Sequence, residues 1–181
     1  MNELIARLTK IQPNSTLITN ENATLDDSPT TFPLNQTLYF DFTHDTNIMG
    51  IITALGLTQF AQFLPVSGPP PNQQLNVSHL EPFAARMVIE KIQCSTPVSP
   101  TRCGSMTGNA TTYIHLLLNQ RTVPLGVSYP VCGNRIDGWC EFGDYLSSLS
   151  SANELANFTY ACFGNYSAST YGSITNGAPI S

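Results

Sequence analysis

His44 and Asp45 put an imidazole and a carboxyl on adjacent residues, at the point where the hydrophobic pattern changes period. An imidazole can hold an anion as a cation or as a hydrogen-bond donor. A carboxyl can give a proton to a departing oxygen, a step that contributes about 10² to 10⁴ in rate. Before the pair, Leu38, Phe40 and Phe42 alternate with Tyr39 and Asp41, which predicts a strand with one apolar face. After it, Ile48, Ile51, Ile52 and Leu55 fall on one helical face, and Gly56 stands where a helix C-terminus would use it. His44 and Asp45 therefore occupy a strand-to-helix turn, at the strand end where α/β sheets collect ligands. The first N–H groups of such a helix carry roughly half a positive charge, so phosphate would be at home there. The same residues suit a quieter role, with Asp45 or Thr46 capping the helix and His44 hydrogen-bonded within the turn. Spacing alone leaves both readings open.

The remaining reactive side chains are less suggestive. His79 lies in a short turn and His115 in an apolar strand, where a satisfied ring on a sheet face is the expected reading; neither has an arginine or glycine neighbour. No Cys-x-x-Cys or Cys-x-x-His spacing occurs, so no metal site is predicted, and no motif calls for a cofactor. Five cysteines is an odd number for an oxidising compartment, which leaves at least one without a partner in this chain.

The elements around the pair can be read in order. Leu4, Ile5, Leu8 and Ile11 predict an amphipathic helix ended by Pro13, and the polar stretch from Asn14 to Pro33 predicts a surface loop. The proline-rich run between Gln59 and Gln74 holds neither a helix nor a central strand, so it predicts a long connection. Ser78 with Glu81 has capping-box spacing, and so has Ser151 with Glu154. Arg86 to Gln93 predicts a strand, Tyr113–Leu118 and Thr122–Leu125 a hairpin about Asn119-Gln-Arg121, and Glu141 to Leu149 a short helix. After Phe163 the Ser, Thr, Gly and Asn tail, residues 164–181, predicts disorder.

Seven basic residues against twelve acidic give a net charge of -5, which argues against nucleic acid as a partner. Charged residues make up only 10% of the chain, against about 25% in ordinary domains. Ser, Thr and Asn fill the gap, and Asn-x-Ser/Thr sequons at Asn14, Asn22, Asn35, Asn76, Asn109, Asn157 and Asn165 could carry glycans that keep such a surface soluble. No apolar run approaches the roughly 18 residues of a membrane span, so no membrane is expected as a partner. Met1-Asn-Glu-Leu is no secretory signal; the expected signal would lie upstream.

Thr43-His-Asp-Thr-Asn-Ile48 after an apolar run resembles the His-Asp motif of histidine acid phosphatases, the branch that includes fungal phytases and other secreted acid phosphatases. Further segments resemble fungal phytases in the same order: Asn2 to Thr9, Thr31 to Tyr39, Pro82 to Arg86, the Gln93-Cys94 strand end, Leu118 to Leu125, and Cys132 through Cys140. The likeness covers Asn2 to about Phe163. It implies the C-terminal portion of the histidine phosphatase (phosphoglycerate mutase-like) α/β fold, a mixed sheet flanked by helices over residues 1–163, with the N-terminal part absent.

In that family a histidine within Arg-His-Gly-x-Arg-x-Pro attacks phosphorus and arginines hold the phosphate. The resemblance assigns His44 as a phosphate contact and Asp45 as the general acid. Arg-His-Gly occurs nowhere in these residues. The implied partners are therefore a small phosphomonoester, phytate being one candidate, and an N-terminal half that carries the nucleophile on a strand beside Leu38 to Phe42; the chain alone is expected to be inactive. Thr46 follows the His-Asp pair where the phytases have Asn, and substrate choice stays open. The resemblance also implies a Cys132–Cys140 disulfide and bridges from Cys94 and Cys162 to the absent part. Cys103 lies in an insertion, Ser95 to Thr111, without a family counterpart, and a Cys94–Cys103 pair is the alternative. A secreted phosphatase is the expectation; the competing readings are a non-catalytic secreted glycoprotein or binding module, or an inactive truncated product.

Overall fold

Two long strands carry the architecture. In a computed structural model that describes residues 1–13, 24–62, 65–156 and 164, with only the helical backbone of 153–156, β1 (Met87–Cys94) pairs antiparallel with β2 (Thr111–Leu118) along its whole length. Residues 165–181 of the predicted tail, Cys162 and the sequons at Asn14, Asn22, Asn157 and Asn165 lie outside the described residues. A two-residue turn leads from β2 to β3 (Arg121–Thr122): Asn119 and Gln120 have φ of 51° and 67°, the left-handed pair that matches strand twist in a tight hairpin. The return strand is shorter than its sequence predicts. Pro124 has no N–H to continue the ladder, and the chain turns into α4 (Leu125–Ser128). β4 (Cys140–Glu141) also pairs with β2, opposite Tyr113 and Ile114. Every pairing among the described strands is antiparallel.

Alternation along β2 gives the sheet two faces. Ile114, Leu116 and Leu118 point into the main core, where they meet Ile48 and Ile52 of α2 (Asp45–Ala54) and its C-cap Leu55, Leu8 of α1 (Asn2–Thr9), and Tyr145 and Leu149 of α5 (Phe142–Ala156). The helices bury their apolar stripes against this face, the usual solution for an α/β layer. α5 runs further than its apolar stripe predicts. Ser151 therefore donates its hydroxyl to the Ser147 carbonyl inside the helix and opens no capping box.

α2 is closed as its sequence predicts. The Gly56 N–H donates to Thr53 O at 2.9 Å and the Leu57 N–H to Ile52 O at 3.2 Å, with Gly56 at φ 64°, and the apolar pair Leu57 and Ile52 is buried beside them. α1 stops earlier than Pro13. Lys10 takes φ 64° as its C-cap and its ammonium reaches the Gln36 carbonyl and the Tyr39 hydroxyl, which leaves Ile11 outside the helix. At α3 (Val77–Leu80) the predicted box is displaced as well. Asn76 is the N-cap and its Oδ1 accepts the Ser78 hydroxyl, while the Glu81 carboxylate accepts the Met49 N–H of α2.

The largest departure concerns Leu38 to Phe42. These residues form no strand, and Leu38, Phe40 and Phe42 are 62%, 72% and 94% exposed. The period-two pattern is present and the ladder is not: a strand exists only through backbone bonds to a neighbour, and none of the described strands lies beside this segment. Phe40 and Phe42 stack on each other instead, 6.3 Å apart.

The other face of the sheet is covered by loops. Arg135 spans Asp137 and the Val98 carbonyl, Ile136 N–H donates to Pro100 O, and the Tyr113 hydroxyl accepts the Val98 N–H. Thus the Ser95–Thr111 insertion is strapped onto the Cys132–Cys140 loop, whose disulfide is formed. Cys94 and Cys103 are free thiols among the described residues, so the structure does not contain the Cys94–Cys103 pair.

Candidate functional site

His44 is the N-cap residue of α2, with extended backbone at φ -97° and ψ 164°, and its side chain caps nothing. Asp45 is the first helical residue; its Oδ1 accepts the Thr46 N–H at 2.7 Å, while the Asn47 N–H donates to His44 O at 3.1 Å. The capping reading is thus met in part by Asp45, and the hydrogen-bonded turn histidine is not found. His44, Asp45, Thr46 and Asn47 are all exposed. The turn presents an imidazole, a carboxyl and the positive end of a ten-residue helix to one region of solvent.

Neither of the other histidines approaches this arrangement. His79 sits exposed in α3, its carbonyl held by the Asn119 amide. His115 faces the covered side of the sheet, with Nδ1 2.8 Å from Glu90 Oε2 and Nε2 2.8 Å from Thr122 Oγ1, and Trp139 beside it at 5.9 Å. It is the satisfied sheet-face histidine that its strand predicts. Its neighbours occupy both nitrogens whichever protonation state it takes, because the threonine hydroxyl can donate or accept.

Arginines would be needed to clamp a phosphate, and three of the five are committed elsewhere. Arg7 pairs with Asp41 at 2.5 Å, and Arg102 and Arg135 both pair with Asp137. Arg86 precedes β1 and Arg121 opens β3, both at the hairpin end of the sheet. Burial by itself would raise the Asp137 carboxyl, but hydrogen bonds from Arg135 and from the Trp139 N–H, with the charges of Arg135 and Arg102, outweigh it and hold the group below the usual carboxylate range. Burial lowers Lys91, helped by the Lys10 charge; its ammonium lies 2.8 Å from Leu8 O and over the Phe142 ring. The Asp137 cluster was not foreseen. Arg135 and Asp137, two of the chain's few charged residues set two positions apart, are the signal that could have found part of it; Arg102, 35 positions from Asp137, left none.

A groove of about 510 Å³ lies between the second half of α2 and residues 58–62, lined by Met49, Ile52, Leu57, Phe60 and Leu75. It contains no titratable group and lies at the far end of α2 from His44. The exposed His44–Asp45 pair therefore stands on an open turn, apart from this groove.

The sequence model of the histidine phosphatase superfamily (branch 2) matches residues 1–119, a stretch that contains His44 and Asp45. Phytase A of Aspergillus terreus is 35% identical over 175 residues, which is 90% of this chain and 31% of that protein. Phytase A of Aspergillus awamori is 38% identical over 156 residues, 83% of this chain and 29% of its own length. Phytase A of Aspergillus fumigatus is 34% identical over 164 residues, 87% and 30% of the two chains. The chain thus spans about a third of the length of the curated relatives it matches.

Proposed function

The chain belongs to the histidine phosphatase superfamily, branch 2, and from that premise we propose that it supplies the general-acid half of a secreted phosphomonoesterase, an acid phosphatase with phytate among its substrates. The observation that carries the reading is the exposed His44–Asp45 pair at the N-terminus of α2, inside the stretch shared with the family.

The chemistry needs a segment beyond those that these 181 residues supply. A histidine from an Arg-His-Gly segment, which these 181 residues do not contain, attacks phosphorus and forms the P–N bond of a phosphohistidine. The P–O bond to the substrate alcohol breaks as it forms. Asp45 gives its proton to the departing alkoxide, and His44, aided by the positive end of α2, holds the non-bridging oxygens. Water then attacks the phosphohistidine, its P–O bond forming as the P–N bond breaks; the Asp45 carboxylate takes the water's proton, and the free histidine and inorganic phosphate are left. One proton donor and one phosphate contact cannot approach the acceleration of up to about 10²¹-fold that monoester hydrolysis draws from enzymes, so the chain alone is inactive.

The nucleophile-bearing strand is the partner proposed for Leu38 to Phe42, where it would cover the exposed Phe40 and Phe42. Secretion fits the Cys132–Cys140 disulfide and the exposed sequons at Asn35 and Asn109, with Asn76 half-buried. No helix among the described residues is long and apolar enough to cross a membrane.

The test is Asp45→Asn in an enzyme completed with an Arg-His-Gly half. Turnover of an alkyl phosphate should fall by about 10² or more, and that of an aryl phosphate, whose leaving group departs unaided, far less. Equal losses on both would reduce Asp45 to a helix-start residue. Turnover of p-nitrophenyl phosphate by the purified 181-residue chain, abolished by His44→Ala, would place the nucleophile within it and overturn the division of labour.

A further inference from the structure

Among the described residues no strand lies beside the segment that delivers His44 to its position, and its side-chain contacts run to a helix. On one side lies α1. The Arg7 guanidinium of that helix is 2.5 Å from Asp41 Oδ2 and stands between the rings of Phe32 and Tyr39, each centroid 5.4 Å away. One turn on, Lys10 adds a 3.0 Å bond to the Tyr39 hydroxyl. Asp41 is three residues before His44, and three residues span at most about 10 Å, so fixing Asp41 confines where the imidazole can go. Asp41 itself is 70% exposed at its side chain, which gives it no packing reason to be anchored.

We propose that Arg7 is a positioning residue for the His44–Asp45 turn, acting through Asp41 and Tyr39 to hold the entry to α2. This rests on the phosphate-binding reading of that turn. Arg7 suits the task better than lysine because its planar guanidinium can lie between two rings and still meet a carboxylate. Glu3 Oε2, at 4.0 Å, is a second carboxylate near Arg7 with no link to the segment, and it provides an internal control.

The experiment is hydrogen exchange with mass-spectrometric readout on the 181-residue chain, with and without inorganic phosphate. Asp41→Asn is the primary variant, since an exposed carboxylate can be neutralised without disturbing the core; Arg7→Ala, Arg7→Lys and Glu3→Gln complete the set. Asp41→Asn and Arg7→Ala should speed exchange at residues 42–47 by about fivefold, the worth of a partly exposed ion pair, while residues 2–9 and 87–94 stay as they are. Arg7→Lys should recover part of the protection and Glu3→Gln should behave as wild type. Phosphate should slow exchange at 44–47 in wild type and weaken its hold in Asp41→Asn by a similar factor, which a loss of general stability would not do. Unchanged exchange at 42–47 in Asp41→Asn, or an equal effect from Glu3→Gln, overturns the role of Arg7. If wild type shows the ion-pair effect without any response to phosphate, the phosphate reading of His44 fails and Arg7 is left as the anchor of an ordinary turn.

Discussion

Replacing Asp137 by asparagine tests the charged cluster under the Cys132–Cys140 loop. The carboxylate is 4% exposed and accepts four hydrogen bonds: Arg135 Nε at 3.0 Å, Arg135 Nη2 at 2.8 Å, Arg102 Nε at 2.9 Å and the Trp139 N–H at 3.0 Å. Asparagine keeps the shape, an oxygen for Trp139 and one further bond. It loses the charge, and so strands the Arg135 guanidinium, itself only 7% exposed, without a counter-ion. Breaking a buried pair from one side costs about 3 to 5 kcal/mol. The retained oxygen and the rings of Tyr113 and Trp139, over which Arg135 and Arg102 lie, place this variant near the lower end, about 3 kcal/mol. With a urea slope of about 2 kcal/mol/M, the midpoint near neutral pH should fall by about 1.5 M.

The pH dependence follows from the same contacts. The Asp137 carboxyl is held below the ordinary value of 3.8, so its contribution is complete above that pH and is lost as the pH falls toward the depressed native value. The gap between wild type and variant should therefore be constant from about pH 7 to pH 5 and shrink only below about pH 3.8. Urea melts followed by tryptophan fluorescence suit the question, since Trp139 is the single tryptophan and sits in the cluster. A loss below about 1 kcal/mol at neutral pH, or a gap that does not narrow in acid, would mean that the arginines are held by packing and that Asp137 contributes no more than a surface pair.

Three further outcomes can be measured on the same chain. A Cβ on Gly126 of α4 would run into the Gly133 carbonyl oxygen, so Gly126→Ala should lower stability by about 1 to 3 kcal/mol, read as the melting temperature; an unchanged value would show that α4 and the Gly133 loop can separate freely. The Tyr145 hydroxyl is fully buried without a partner among the described residues and burial raises its pKa, as it does that of Tyr129, which reaches about 12, so Tyr145→Phe should stabilise by about 1 kcal/mol. A destabilisation of that size in urea melts would reveal a bond to that hydroxyl. The Cys132–Cys140 bridge closes a short loop across eight positions and should add about 2 to 3 kcal/mol by loop entropy. Non-reducing peptide mapping should recover these two cysteines joined, and a peptide linking Cys132 to Cys94 would refute the pairing.

Local patterns were legible wherever the deciding forces are local. The four apolar positions and Gly56 of α2 foretell a helix and its Schellman close, because both depend on residues within one turn of each other. The strand-forming runs of β1 and β2 and a turn about Asn119-Gln-Arg121 foretell two strands and a hairpin for the same reason, although the turn itself takes only Asn119 and Gln120. The His44–Asp45 pair was likewise found by its place between two periods, and the structure puts it at the helix N-terminus where that placement predicts.

What the tertiary structure decided is where distant groups meet. Leu38, Phe40 and Phe42 carry the pattern of a strand and form none, since a ladder needs a second chain segment that the pattern cannot supply. The capping boxes at Ser78 and Ser151 have the right spacing and the wrong register, because Asn76 starts one helix and the core contacts of Tyr145 and Leu149 carry the other past Ser151. Arg7 reaching Asp41 across 34 positions and Arg102 reaching Asp137 across 35 leave no mark in any local window. Coulomb attraction acts through space, and the sequence orders residues only along the chain.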